Sequence, residues 1–323
     1  MYESMNDLIA AYFENYRVLN AVFKLDSGVN YAACANLLCS RGVIADADAL
    51  TQCRSLLKAK EGFFSTFRAS AEMFTCTSMY LSGEPEAKLF RVQQNYQLLK
   101  KLYIDSSHLV TASFMLDDTC APDQIPAVAE RSRVLYKKMQ KLHPLLTGTE
   151  DAPYCVMLAR SPKTDDELIA EMEKIYAGIR KFATDNVAQT ISHLYTLSDE
   201  PAEEKCAGLL SLYQALEQGG RKYAKDLRLT VLAALTLPNL DPAGVAADIL
   251  QADSILAQQK EYSGLLGEDS QNRLMHAAMI VSTMQAPHYA IAEYASVNAA
   301  IYIAIIIAVC AASSAVMVTA ATS

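Results

Sequence analysis

Between Lys141 and Asp151 the chain reads Lys-Leu-His-Pro-Leu-Leu-Thr-Gly-Thr-Glu-Asp, its most polar and least periodic joint. His143, Glu150 and Asp151 put an imidazole and two carboxyls within nine residues, the groups needed to shuttle a proton or hold a divalent cation. His193 joins the set if the fold brings it near. The same residues also have a structural reading. His143 would end a helix at its negative pole, and Pro144 would stop it. Thr147 or Thr149 would cap the next helix, with Glu150 and Asp151 in its positive first turn. That structural reading is the one the residues favour, which leaves catalytic and metal roles for His143, Glu150, Asp151 and His193 as alternatives.

Other chemistry is harder to find. The sequence holds no GxxxxGK[ST] loop, no GxGxxG turn, no HExxH helix and no GxSxG elbow. No cofactor is expected. Eight cysteines occur without a CxxC pair, most among apolar helical positions such as Cys34 and Cys39, which predicts reduced, buried thiols. A net charge of -8 and a pI near 5.2 argue against a nucleic-acid partner, since phosphate binding needs a cationic surface. Arg131, Arg133, Lys137, Lys138 and Lys141 form one basic helix that could meet an anionic lipid or an acidic partner. More often such a run is a solvated face.

The elements that must position these residues are helical throughout. Leu8, Ile9, Tyr12, Phe13, Tyr16, Leu19 and Phe23 fall at three- and four-residue steps. Asp26 or Ser27 can cap a second helix and Asp46 a third. Helices are expected over 63–81, 84–103, 106–116 and 126–142. After the joint they are expected over 151–159, 168–182, 186–197, 201–218, 222–235 and 242–260. Thr164 to Glu167 has the capping-box pattern.

The second half resembles the first at an offset of about 116–120 residues. Glu14 to Leu19 returns as Glu130 to Leu135, Ser27-Gly28 as Thr147-Gly148, and Leu50 as Leu168. Leu81-Ser-Gly-Glu-Pro85 returns as Leu197-Ser-Asp-Glu-Pro201, Thr111 to Leu116 as Thr230 to Leu235, and Pro126-Ala127 as Pro242-Ala243. The order and the turn residues recur together, which predicts an all-α tandem helical-hairpin repeat. It would hold two copies of about 118 residues and a partial third, solenoid-like or a compact helical array. The units would span residues 1–143, 144–262 and 263–323. His108 and His193 share a Ser-His-Leu context but fall out of this register, which marks them as ordinary.

The run from Ala299 to Val318 is apolar and uncharged, long enough for a bilayer, and could anchor the chain in a membrane. No Lys or Arg flanks it, and a buried central helix or an oligomer contact is the competing expectation. Met1 to Asp7 lacks the basic and apolar parts of a secretory signal, so a cytoplasmic location is expected, with membrane anchoring as the alternative.

His143-Pro-Leu-Leu-Thr-Gly-Thr-Glu-Asp151 with the following Cys155-Val-Met-Leu-Ala159 resembles the hallmark of a bacterial helical family. That family is known only as a domain of unknown function, number four thousand and three in its series. Gln189-Thr-Ile-Ser-His-Leu194 resembles a second stretch of it. The resemblance covers most of the chain and implies a bacterial, cytoplasmic, helical protein, with no activity or site residue attached. The function expected from the sequence is a non-enzymatic scaffold that binds a protein partner or self-associates. The alternatives are a metal-dependent or acid–base enzyme centred on His143, Glu150 and Asp151, and a membrane-tethered adaptor held by Ala299–Val318.

Overall fold

The computed structural model describes residues 2–24, 26–237, 240–263 and 268–285. Among them the chain forms seven helical hairpins and no strand. In chain order these are α1 (Met5–Val22) with α2 (Gly28–Ser40), α3 (Ala47–Lys60) with α4 (Glu72–Leu81), and α5 (Pro85–Lys100) with α6 (Ser107–Thr119). Then follow α7 (Ile125–Leu142) with α8 (Ala152–Leu158), α9 (Asp165–Ile179) with α10 (Asp185–Tyr195), α11 (Ala202–Gln218) with α12 (Leu229–Ala234), and α13 (Pro242–Leu256) with α14 (Ser270–Gln285).

Odd and even helices differ in composition, and the difference sets the architecture. The odd helices are amphipathic: α9 buries Leu168, Met172, Ile175, Tyr176 and Ile179 and turns its charges outward. The even helices are buried on every side. All nine residues from Val187 to Tyr195 in α10, and all nine from His108 to Leu116 in α6, are buried. A helix apolar all round must sit inside a layer of others.

Contacts between elements show how. α2 packs on α4, α6 on α8, α8 on α10, α10 on α12 and α12 on α14. The edge-on Phe74–Phe114 ring pair, 5.2 Å between centroids, joins α4 to α6. α14 then packs back on α2, closing an inner ring. The odd helices follow the same circuit outside it, from α1 through α3, α5, α7, α9 and α11 to α13, which touches α1 again. The array is therefore the compact, closed form of a hairpin series, with first and last hairpins in contact rather than at opposite ends of a solenoid.

The inner helices run in one direction. Arg228 Nη1, at the start of α12, donates to Asn272 Oδ1 at the start of α14, 3.1 Å away. Gly28 begins α2 against the Glu268 carboxyl that precedes α14, which would have to swing aside to admit a Cβ. At the other end, the Tyr195 and Thr236 hydroxyls pair at 2.5 Å, Tyr195 closing α10 and Thr236 following α12. All the crossings from outer to inner helix consequently share one end of the ring.

The internally similar segments fall on corresponding elements: α1 with α7, α3 with α9, the α4–α5 turn with the α10–α11 turn, and α6 with α12. Lys88 on α5 and Lys205 on α11 are both buried. Lys88 pairs with Asp117 and Asp118; Lys205 bonds Glu171 and the Tyr195 and Ser198 carbonyls. The expected unit boundaries after His143 and Tyr262 fall inside the α7–α8 and α13–α14 hairpins.

Two expected helices are shorter than their apolar spacing suggested. Residues 63–71 hold only a 3-10 turn at Thr66–Arg68, started by the Ser65 hydroxyl accepting from Phe67 N. Residues 222–226 are irregular and lead into a turn at 227–228, where Asp226 Oδ1 takes the Arg228 amide that a helix would have used. Cys39, Cys53, Cys76, Cys120, Cys155 and Cys206 are free thiols, Cys34 is buried, and Cys310 lies outside the described residues. So does the Ala299–Val318 run. No helix among the described residues is long and apolar enough to cross a membrane.

Candidate functional site

His143 caps the C-terminus of α7, its amide donating to the Met139 carbonyl. Pro144 ends the helix, and the chain crosses inward to Gly148, whose amide donates to Asp151 Oδ2 at 2.9 Å. Neither Thr147 nor Thr149 does the capping that their positions suggested; the Asp151 carboxyl does it. Pro153 follows in the first turn of α8, where a missing amide hydrogen costs nothing. The effect is to drive Asp151, 2% exposed, into the inner ring between α6 and α10.

Around Asp151 the inner helices gather polar groups from far along the chain. His193 of α10, also 2% exposed, places Nδ1 3.3 Å from Asp151 Oδ1. This is an ion-pair distance, but the ring nitrogen is not aligned on the oxygen and makes no hydrogen bond. One turn earlier, Gln189 Nε2 donates to the buried Thr147 hydroxyl at 2.9 Å, while Gln189 Oε1 has no partner. The Tyr154 ring lies 5.6 Å from the His193 imidazole. His108 of α6 completes the group: burial pulls its pKa down, and the Asp151 charge opposes that pull.

Glu150 sits at the more open side of the cluster. Burial holds its carboxyl above the usual carboxylate range; its own amide opposes this, the Asp151 charge adds to it, and His193 opposes it. Burial, then Asp151, likewise raises the thiol of Cys155 one turn into α8. On the outer side, the Arg133 guanidinium stacks on the Tyr103 and Tyr136 rings at 5.2 and 4.9 Å.

The four residues singled out in the sequence thus part company. Glu150, Asp151 and His193 meet. His143 faces α9 instead, with Nε2 2.7 Å from Glu173 Oε1 and its ring 4.6 Å from that of Tyr176. No group of three or more His, Cys, Asp or Glu side chains among the described residues is arranged to hold a metal ion. His108, set aside for falling out of repeat register, belongs with the cluster; its Ser-His-Leu context shared with His193 was the available signal. The basic helix is largely spent within the molecule. Arg131 bonds Asp165 and the carbonyls of Ala159, Ser161 and Lys163, and Lys138 pairs with Asp166.

Chemically, the cluster offers a carboxyl–imidazole pair shielded from water, beside a carboxyl that burial inclines to keep its proton. Two carboxyls in unlike environments next to an imidazole can give and take protons in one step.

Comparison with known proteins adds a family and no activity. Residues 15–312 match the family described as a protein of unknown function, DUF4003, and the chain belongs to that family. No curated protein and no solved structure matches it.

Proposed function

We propose that this DUF4003 protein is a general acid–base enzyme acting on a small polar substrate at the cluster where the start of α8 meets the last turn of α10. His193 takes the proton, Asp151 beside its Nδ1 stabilises the imidazolium that forms, and Glu150 supplies a proton. The observation that carries the reading is the buried Asp151–His193 pair at 3.3 Å, with both His193 Nδ1 and Gln189 Oε1 unpartnered. A pair serving packing alone would gain by satisfying those atoms, since a buried unpaired polar group costs about 1–3 kcal/mol. The test screens purified protein against small esters, glycosides, phosphoesters and amides. Turnover should fall at least ~100-fold in His193→Asn, and likewise in Asp151→Asn, with the fold retained. A wild-type chain inert to every class, or activity that survives His193→Asn, would sink the proposal.

A second reading, the scaffold, is favoured by a separate observation. Phe63, Phe64, Ile104 and Leu145 are 76%, 95%, 78% and 97% exposed, on three successive outer-to-inner loops at the same end of the ring. Apolar side chains bared together mark contact surfaces. Under this reading a second copy of the chain covers them. Sedimentation should then show a dimer that Phe64→Ser with Leu145→Ser dissociates; a monomeric wild type would rule it out.

A further inference from the structure

Each outer helix finishes at the end of the ring where the chain crosses inward, and a lysine stands there hairpin after hairpin. Lys101, Lys141, Lys181 and Lys222 lie at or just before or after the ends of α5, α7, α9 and α11, one hairpin apart. All four are exposed, and none makes an ion pair among the described residues. Glu217 is the one acid in the last turns of α3, α5, α7, α9 and α11. Asp105, Asp185 and Asp226, farther along the crossings, pair with Lys100, Arg180 and Arg228. At the opposite end the outer helices begin, and their starts are acidic: Glu84, Glu86, Asp166, Glu167, Glu203 and Glu204 are exposed there. The net charge of -8 thus covers two ends of unlike character.

Helix dipoles favour this division, with cations near C-termini and acids near N-termini. They give no reason for large apolar side chains to stand bare among the lysines. Ile104 follows Lys101 and Leu145 follows Lys141 within one short crossing, and Phe63 and Phe64 follow Lys58 and Lys60. All four apolar side chains are at least three-quarters exposed. The Phe63 and Phe64 rings meet edge-on at 5.1 Å, with the Arg68 guanidinium 5.6 Å from the Phe63 centroid. Bare apolar tips rimmed by lysines suit a lipid headgroup layer. The tips enter the acyl boundary while the ammonium groups stay with the phosphates.

We infer that this end of the ring is a peripheral docking surface for an anionic lipid bilayer. Phe64 and Leu145 insert, and Lys101, Lys141, Lys181 and Lys222 meet the headgroups. A second copy of the chain, placed on the same apolar residues under the second reading above, would bring lysines to face lysines, and like charges set opposite each other weaken an association. An anionic surface meets both features at once. The inference does not rest on the acid–base reading, whose residues it does not use.

Vesicle co-sedimentation of the full-length chain tests it. Vesicles of phosphatidylglycerol and phosphatidylcholine in equal parts should carry the chain down at about 0.1 M salt, and phosphatidylcholine alone should not. Salt at about 1 M should release it, since charges are then screened within about 3 Å. Lys101→Gln with Lys181→Gln should weaken binding on the order of 10- to 25-fold, a few-fold for each lysine. Phe64→Ser with Leu145→Ser should weaken it at least ~10-fold. Both variants alter exposed residues, and circular dichroism with urea unfolding checks that each keeps the fold. A wild type that ignores the anionic vesicles, or binds phosphatidylcholine equally, would overturn the assignment. So would an unaltered affinity in either folded variant, which is what attachment through Ala299–Val318 would give. A wild-type dimer that the Phe64–Leu145 variant dissociates, with vesicles left unbound, would return this end to a second copy.

Discussion

At the scale of single residues, two histidine–carboxylate pairs in one short segment have opposite worth. Asp151 binds the Gly148 amide and faces His193, with both side chains almost wholly buried. Asp151→Ala strands an amide and a buried imidazole together, and should cost on the order of 3 kcal/mol in urea unfolding. His143 and Glu173 are 17% and 41% exposed, so solvent screens their bond, and His143→Ala should cost under about 1 kcal/mol. Glu150 gives a pH-dependent case. Its ordinary pKa is 4.5 and the fold raises it, so above pH 4.5 the unfolded chain has released a proton that the folded chain still holds. Stability due to Glu150 therefore falls as pH rises from 4.5 through the raised value. Glu150→Gln should be more stable than the parent at pH 8 and equal to it below pH 4, which paired denaturation curves will show. The residue types were legible in the sequence, including the pairing of His193 with the joint. The departure of His143 was not, because Glu173 is 30 residues away and on another helix.

At the scale of elements, the inner helices carry buried polar groups, and α14 shows what one of them costs. His276 is fully buried; Tyr262 OH lies 2.8 Å from its Nδ1 and is in turn 3.3 Å from Tyr12 OH. Burial pushes its pKa down from 6.5 to about 3. Between these values the unfolded chain takes up a proton that the folded chain refuses, so stability falls as pH drops from 6.5 toward 3. Burial shifts His108 the same way. His276→Gln cannot titrate there and should flatten the slope, with a difference on the order of a few kcal/mol at the acid end. An unchanged slope would place the acid sensitivity elsewhere. The outer helices were readable because one buried stripe gives a 3.6-residue period and caps such as Asp46 and Thr164 announce their starts. The inner ones are buried on all sides, so their spacing does not single out one face, and 63–71 and 222–228 depart from helix where local side-chain bonds to the backbone decide otherwise.

At the scale of the whole molecule, helical spacing and turn residues made the succession of helices legible but could not show whether the series closes. Closure depends on contacts between residues far apart in sequence, such as the Thr283 hydroxyl donating to Asn36 Oδ1 at 2.9 Å, and no local pattern encodes them. It has a consequence for how the chain opens. In an open array each terminal hairpin has one neighbour, so its helices fray at lower free energy than the middle. In the ring α2 touches both α4 and α14, and α14 touches both α12 and α2, so every inner helix is flanked on two sides. Hydrogen exchange of the full-length chain should therefore find the buried amides of α2 and of α14 through Val281 as protected as those of α8 and α10, all exchanging through one global opening. An open series would instead show protection rising from both terminal hairpins toward α8. Thr283→Val, which removes the α14–α2 hydrogen bond and leaves Asn36 buried without it, should lower the common opening energy by about 1 kcal/mol. If the ring is one cooperative unit, that loss appears equally in α8, more than a hundred residues from the substitution.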